Sequence, residues 1–245
     1  MKEARYFFVP DAESSTELPA EEAMHALRVL RLKSGDDITV CDGQGMDCRC
    51  TVSDVSPGQI SLVVRERAPS DSEPAVRCSI YMAFSKSDKL EHVIQKATEL
   101  GAAEIVAFPS TRCVSRPDAK SLKSKLDRWQ KIAASAAAQS GRGCIPQVLA
   151  LSSYREALDR AAQCELSLFP YENEQRLSLR KALVGSSFRT VSIVTGPEGG
   201  FEPDEVQLAA QLGFQVCTLG PRILRCETAP LCALTAVLFS AGALD

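Results

Sequence analysis

Leu219-Gly220-Pro221-Arg222-Ile223-Leu224-Arg225-Cys226-Glu227-Thr228-Ala229 is the stretch on which the reading of this chain turns. An apolar run at residues 214–219 leads into it, and a weakly polar segment at 229–244 leads out. That order predicts a strand, a glycine-proline loop and a helix. It occurs once more upstream. Thr195-Gly196-Pro197-Glu198-Gly199-Gly200-Phe201 follows the apolar run 191–195 and precedes Pro203, which suits the first turn of a helix. Asp204 and Glu205 suit the positive end of that helix, and Gly213 suits its close. In open α/β sheets, ligands collect outside the carboxyl ends of the strands. Glycine there lets a backbone approach a ligand closely. Two such loops on adjacent strands can present backbone N–H and C=O groups to one flat heterocycle.

Upstream of these loops, strands and helices alternate. Residues 78–84, 104–108 and 165–169 read as strands. Residues 88–100 read as an amphipathic helix with Leu90, Val93, Ile94, Ala97 and Leu100 on one face. Asp88 with Glu91 predicts a capping box at its start, and Gly101 a left-handed residue at its end. Residues 120–139 predict a long, alanine-rich helix. The alternation means an α/β fold with a mostly parallel sheet.

The first 70 residues have a different rhythm. Strands are predicted at 5–9, 37–41, 48–55 and 60–64, a helix at 21–30, and turns at 42–45 and at Pro57-Gly58. Short strands joined by tight turns suggest a small hairpin-rich barrel. Residues 68–75 are polar, with two prolines, and are expected to be a linker. Two domains are therefore expected, 1–70 and 75–245.

Composition narrows the function classes. Of 245 residues, 45% are apolar and 24% charged, ordinary for a globular chain. The apolar run at 6–9 is too short for a signal peptide, and 229–244, with Pro230 near its start, is shorter than the roughly 20 residues a spanning helix needs. Ten scattered cysteines include no C-x-x-C pair, and only His25 and His92 could add imidazole ligands. No metal site, no membrane insertion and a cytoplasmic, reducing location are expected. Net charge is −3, but residues 112–142 hold eight basic residues against Asp118 and Asp127. A local excess of +6 is either a phosphate-binding surface or a solvated helix face. There is no G-x-x-x-x-G-K-[ST], no G-x-G-x-x-G after a strand and no G-x-S-x-G, so nucleotide-binding P-loop, Rossmann and esterase readings fall away.

Three stretches carry a family resemblance. They are residues 89–101 (KLEHVIQKATELG), residues 129–142 from Trp129-Gln130-Lys131 to Gly141-Arg142, and the pair of glycine-proline loops; a weaker similarity lies at 25–31. With these the chain resembles the SPOUT superfamily of knotted methyltransferases, and within it the 16S rRNA (uracil-N3)-methyltransferases. Where that pattern usually has threonine, this chain has Cys226. The resemblance implies a trefoil-knot methyltransferase domain preceded by a small PUA-like β-barrel, S-adenosylmethionine as cofactor, a homodimer, and 16S rRNA of the small ribosomal subunit as partner.

It also implies a site. The cofactor would be held by Leu168 and Pro170, by Thr195, Gly196, Pro197, Glu198, Gly199 and Gly200, and by Leu219, Gly220, Ile223, Leu224, Arg225, Thr228 and Ala229. A branched side chain at Gly199 is expected to fill space meant for the ligand. Arg222 and Arg225 are candidates to stabilise a uracil anion, and Glu198 and Glu227 to take its proton. Arg225 and Glu227 could equally pair with each other. RNA contacts are expected from Arg5, His25, Arg28 and Arg31, and from Arg112, Lys123, Arg128 and Arg142. His92 reads as a helix-surface or packing residue, and Trp129 as a core or dimer-interface residue. Two other readings stay open: a knotted methyltransferase acting on a ribose 2′-hydroxyl or a tRNA base, and an inactive RNA-binding assembly protein.

Overall fold

The computed structural model describes residue 9, residues 15–185 and residues 187–244. They fall into two compact units, one of residues 1–73 with 135–145, the other of 74–134 with 146–245. The strand expected at 5–9 lies, apart from Val9, outside the described residues, as does Arg5.

In the first unit, β1 (Ser15–Glu17), β2 (Asp37–Cys41), β3 (Met46–Ser56) and β4 (Gln59–Pro69) form an antiparallel sheet in the order β1-β4-β3-β2. Period two explains it: Cys48, Cys50 and Val52 of β3 face one way and are buried with Val40, Ile60 and Leu62. The helical spacing near residue 25 becomes α1 (Ala20–His25) followed by a π-helical turn, Ala26–Leu30. Arg31 then takes φ 54°, alone among the described non-glycine residues in having positive φ.

Residues 68–75 are not the free linker that their composition suggests. Ala68 and Pro69 complete β4. Ser72 Oγ then accepts a hydrogen bond from Gly143 N–H (3.0 Å), and Glu73 Oε1 accepts one from Cys144 N–H (3.0 Å). Polar side chains that composition assigns to solvent are spent on the backbone donors of a turn. The same segment corrects the expectation for Arg142. Its guanidinium meets Glu73 at 2.6 Å and the residue is only 4% exposed, so it is committed inside the first unit and presents no charge to RNA.

The second unit is built on β5 (Arg77–Ala83), β6 (Glu104–Phe108), β7 (Gln147–Ala150), β8 (Leu166–Pro170), β9 (Thr190–Thr195) and β10 (Gln215–Cys217). Their order is β10-β8-β9-β5-β6-β7, and every pairing is parallel. A parallel sheet is covered on both faces, and β5 shows it: all its residues after Arg77 are buried. Ile80 and Met82 pack into the core that holds α2 (Ser87–Leu100), α3 (Ala119–Ser140), α5 (Leu179–Leu183) and α7 (Thr228–Ser240). Tyr81 and Ala83 pack on the other side, with α4 (Tyr154–Ala161) and α6 (Pro203–Gln211). Trp129 is 2% exposed in the first of these cores, and its Nε1 makes no hydrogen bond.

Helix α2 corrects the capping expectation. Lys86 is its N-cap, with no side-chain cap, and Glu91 instead pairs with Arg128 at 2.6 Å. The carboxylate at this end comes from elsewhere: Glu198 Oε1 accepts a hydrogen bond from Lys86 N–H at 3.1 Å. The capping box appears in α6, where Glu205 reaches back to Glu202 N–H at 2.9 Å. At the far end of α2, Gly101 takes φ 107°, as expected, and its N–H returns to the helix.

A Cβ at Gly101 would lie 2.6 Å from Pro74 Cγ and sit on a left-handed backbone. Gly101→Ala is therefore expected to cost about 1–2 kcal/mol, read as a lower urea midpoint with an unchanged slope.

Candidate functional site

Strand order makes the site. β8 lies between β9 and β10, and all three run the same way, so their carboxyl ends emerge side by side. Residues 170–172, 195–201 and 218–226 leave those ends and surround a cavity of about 540 Å³, closed at one side by Lys89 of α2 and Ala229 of α7. That volume falls in the range of small-molecule sites, about 300–1,000 Å³. Within the described residues, the backbone N–H groups of Leu219, Ile223 and Leu224 have no hydrogen-bond partner. Unpaired donors along the wall suit the edge of a heterocycle.

Of the residues expected to hold the cofactor, Pro170, Thr195 to Gly200, Leu219, Gly220, Ile223, Leu224, Arg225 and Ala229 line this cavity, and Arg222 joins them. Two do not. Leu168 is fully buried in the core beneath the strand ends, because inward-facing β8 residues pack against the helices. Thr228 opens α7 and is exposed, away from the lining. The lining also includes Lys89, Tyr171, Glu172, Phe201, Thr218, Pro221 and Cys226. Lys89 was within reach of sequence reasoning, since it heads one of the stretches that carry the family resemblance; nothing in local pattern connects it to loops more than 100 residues away.

The glycines of the first loop are tight for a different reason than expected. A Cβ at Gly199 would face Arg112 Cβ at 3.1 Å rather than the cavity, and one at Gly196 would meet the Phe201 ring at 3.2 Å. Gly200 has φ 68°, and a Cβ there would lie 2.6 Å from Glu172 Oε1. The loop is thus packed from behind. Arg112 is its main support: Nη1 donates to Gly199 O at 3.0 Å, while Nε and Nη2 donate to the two Glu202 oxygens at 2.8 and 3.0 Å. The hydrogen bonds to Glu202 raise the Arg112 pKa and lower that of Glu202. Glu205, 8% exposed, accepts from Thr111 N–H (2.8 Å), Thr111 Oγ1 (3.1 Å) and Glu202 N–H (2.9 Å), so its buried charge is well partnered.

The charges at the cavity wall are arranged around Lys89. Its Nζ lies 3.6 Å from Glu198 Oε1 and 3.5 Å from Glu227 Oε2. Glu227 therefore pairs with Lys89 and not with Arg225. Desolvation opposes charge on both glutamates. Backbone N–H groups and Lys89 outweigh it for each, Cys226 adding to the effect at Glu227, and hold both carboxyls below the ordinary range. Desolvation also opposes the Lys89 charge, but the Glu227 and Glu198 carboxylates raise its pKa on balance. Burial, then the hydrogen bond to Glu227, pushes the Cys226 thiol up to about 12, so it stays protonated and donates to Glu227 Oε2 at 3.2 Å. Arg222 and Arg225 are exposed on the rim and make no ion pair or side-chain hydrogen bond among the described residues.

Comparison with known proteins places this geometry. A family model for the RNA methyltransferase domain matches residues 72–238, and one for the RNA methyltransferase PUA domain matches residues 18–65. The ribosomal RNA small subunit methyltransferase E of Bacillus subtilis is 37% identical over 96% of each chain. The chain belongs to the ribosomal RNA small subunit methyltransferase E family. That of Mycobacterium bovis is 33% identical over 96% of this chain and 91% of its own. Among solved structures, the family member from Neisseria gonorrhoeae bound to S-adenosyl methionine superposes with a TM-score of 0.83, at 32% identity over 96% of this chain and 97% of that one. A putative methyltransferase from Legionella pneumophila, in complex with the same cofactor, gives a TM-score of 0.80 at 26% identity, covering 97% and 98%. Family membership accounts for the α/β fold with its parallel sheet and for the PUA-like first unit.

The remaining expected RNA contacts differ in availability. Arg28, Arg31, Lys123 and Arg128 are exposed, although Arg128 is shared with Glu91, whereas Arg112 is engaged by Gly199 and Glu202. The His25 side chain lies outside what the structure describes. No group of His, Cys, Asp and Glu among the described residues could hold a metal, and no described helix is long and apolar enough to cross a membrane.

Arg112→Met removes the support behind Gly199. Because the guanidinium is partly exposed, the loss is modest: cofactor affinity by calorimetry is expected to fall roughly three- to tenfold, with the fold intact by circular dichroism.

Proposed function

We propose that this chain transfers the methyl group of S-adenosylmethionine to N3 of a uridine in 16S rRNA. The observation that carries the reading is the cavity at the ends of β8, β9 and β10, in a chain that superposes over nearly its whole length on a family member bound to that cofactor. The cavity volume, the unpaired amides of Leu219, Ile223 and Leu224, and the tight glycine loop fit the cofactor.

S-adenosylmethionine supplies an electrophilic methyl on a sulfonium. The chain's task is to hold an N3 nucleophile in line with it, so most of the acceleration comes from positioning. Residues 195–201 and 219–225 grip the donor, and Arg222 and Arg225, free on the rim, face the incoming base. Their charge stabilises the uracil anion that forms when N3 loses its proton. Glu198 and Glu227 are weak acceptors for that proton, because their pKa values are lowered and both are paired with Lys89. We assign the proton to a solvent water.

The knotted arrangement implied by the resemblance belongs to this reading. β9 and β10 flank β8, so successive crossings return on both sides of it. So does a homodimer: α7 shows Cys232, Thr235 and Phe239 along one exposed side, Phe239 at 70% exposure. The partner on the RNA side is 16S rRNA in the bacterial cytoplasm, met through exposed Lys120 and Lys123 of α3 and Arg28 and Arg31 of the first unit.

Mass spectrometry of 16S rRNA from a strain lacking the gene tests the assignment. N3-methyluridine should disappear and return on complementation; its persistence would refute the uridine-N3 target. A second outcome is expected from charge reversal. Lys120→Glu with Lys123→Glu should weaken RNA binding and reduce the salt slope by about one to two counterions, leaving cofactor affinity unchanged.

A further inference from the structure

The loops after β9 and β10 form opposite walls of one cavity, yet they share no strand pairing, since β8 separates them. Among the described residues no hydrogen bond joins residues 195–201 to residues 218–229. Among the same residues a polar connection runs through a third element. Lys89, in the first turn of α2, has its ammonium 3.6 Å from Glu198 of the first loop and 3.5 Å from Glu227 of the second, and 3.9 Å from Cys226 Sγ. Its side chain is 22% exposed, and those of Glu198 and Glu227 are 22% and 27% exposed, so the three charges are sheltered from solvent.

Two further bonds give the arrangement direction. Glu198 Oε1 also accepts from Lys86 N–H at 3.1 Å, which ties the first loop to the positive end of α2. The Cys226 thiol donates to Glu227 Oε2 at 3.2 Å, which fixes the second carboxylate toward the lysine. Two carboxylates held beside the same cavity repel each other, and one ammonium between them turns repulsion into a bridge. Helix α2 is itself anchored by Leu90, Val93, Ile94 and Ala97, all at most 1% exposed, so the bridge hangs from a rigid point.

We propose that Lys89 is a positioning residue that sets the separation of the two cofactor-enclosing loops by bridging Glu198 and Glu227. The proposal rests on reading the cavity as the S-adenosylmethionine site. Lys89 acts through the loops, and its loss changes how well the donor is gripped and aimed. Cys226, where the family pattern has threonine, serves the bridge as a hydrogen-bond donor, a duty that either side chain can perform.

Hydrogen exchange on the full chain without cofactor tests the bridge directly. In Lys89→Met, amides of residues 196–200 and of residues 220–228 should both exchange faster, while those of β5 and β6 stay protected. In Glu227→Gln, which leaves the Lys89–Glu198 pair, only residues 220–228 should quicken. Calorimetry should then show S-adenosylmethionine binding about tenfold weaker in Lys89→Met and mostly recovered in Lys89→Arg. Steady-state assays on 30S subunits should show a raised cofactor KM and a lowered kcat, with RNA KM unmoved. Unchanged exchange in both loops of a folded Lys89→Met protein overturns the proposal, as does a Lys89→Arg variant no better than Lys89→Met. If Lys89→Met does not fold, the Glu227→Gln comparison decides alone: faster exchange confined to 220–228 supports the bridge, and none refutes it. Should the wild-type chain bind no S-adenosylmethionine, the reading of the cavity fails, and the exchange results still judge the bridge.

Discussion

The parallel alignment of β9, β8 and β10 is the constraint from which the site follows. Parallel neighbours bring all their carboxyl ends to one edge of the sheet, and the order β10-β8-β9 brings together loops that sequence keeps apart. None of these loops makes a pocket alone. Burial of β5, β8 and β9 between two helical layers keeps the strand ends rigid, and the loops inherit that rigidity.

Rigid strand ends do not determine where loops go beyond them, and here charge takes over. Arg112 braces residues 195–201 from behind through Gly199 O and Glu202, and Glu205 secures Thr111 to the start of α6. Lys89 faces the same loop from the cavity side. Glu198, Glu202, Glu205 and Glu227 are therefore occupied with architecture. That explains why Glu198 and Glu227, beside the cavity, have lowered pKa values, the opposite of what a general base needs. Arg222 and Arg225, which have no side-chain partner among the described residues, stand exposed at the rim of the cavity.

Local pattern made much of this legible. Alternation of apolar runs with amphipathic segments located β5, α2, β6, α3, β9, α6 and α7 to within a few residues, because each has its own period and its own terminator, such as Gly101 and Pro203. Short elements escaped. β7 has four residues and α4 eight, and the signal for α4 was a small one, Ser153 accepting from Glu156 N–H at its start. What sequence could not give was pairing across distance. Arg142 looks like a surface cation until Glu73 is found beside it, and residues 70–73 look like a linker until Gly143 and Cys144 are found to need them. Likewise Glu227 meets Lys89, 138 positions away, rather than nearby Arg225. Ion pairs at such separation depend on sheet order, which no local period encodes. The family resemblance pointed to the two glycine-proline loops, and the structure shows that they line one cavity at the strand ends.

A crystal structure of the chain grown with excess S-adenosylmethionine measures the central claim most directly. The account predicts the donor between residues 195–201 and 219–229, with the amides of Leu219, Ile223 and Leu224 newly hydrogen-bonded and Lys89 still between Glu198 and Glu227. A donor bound elsewhere, or those loops collapsed onto each other with the donor excluded, would contradict it.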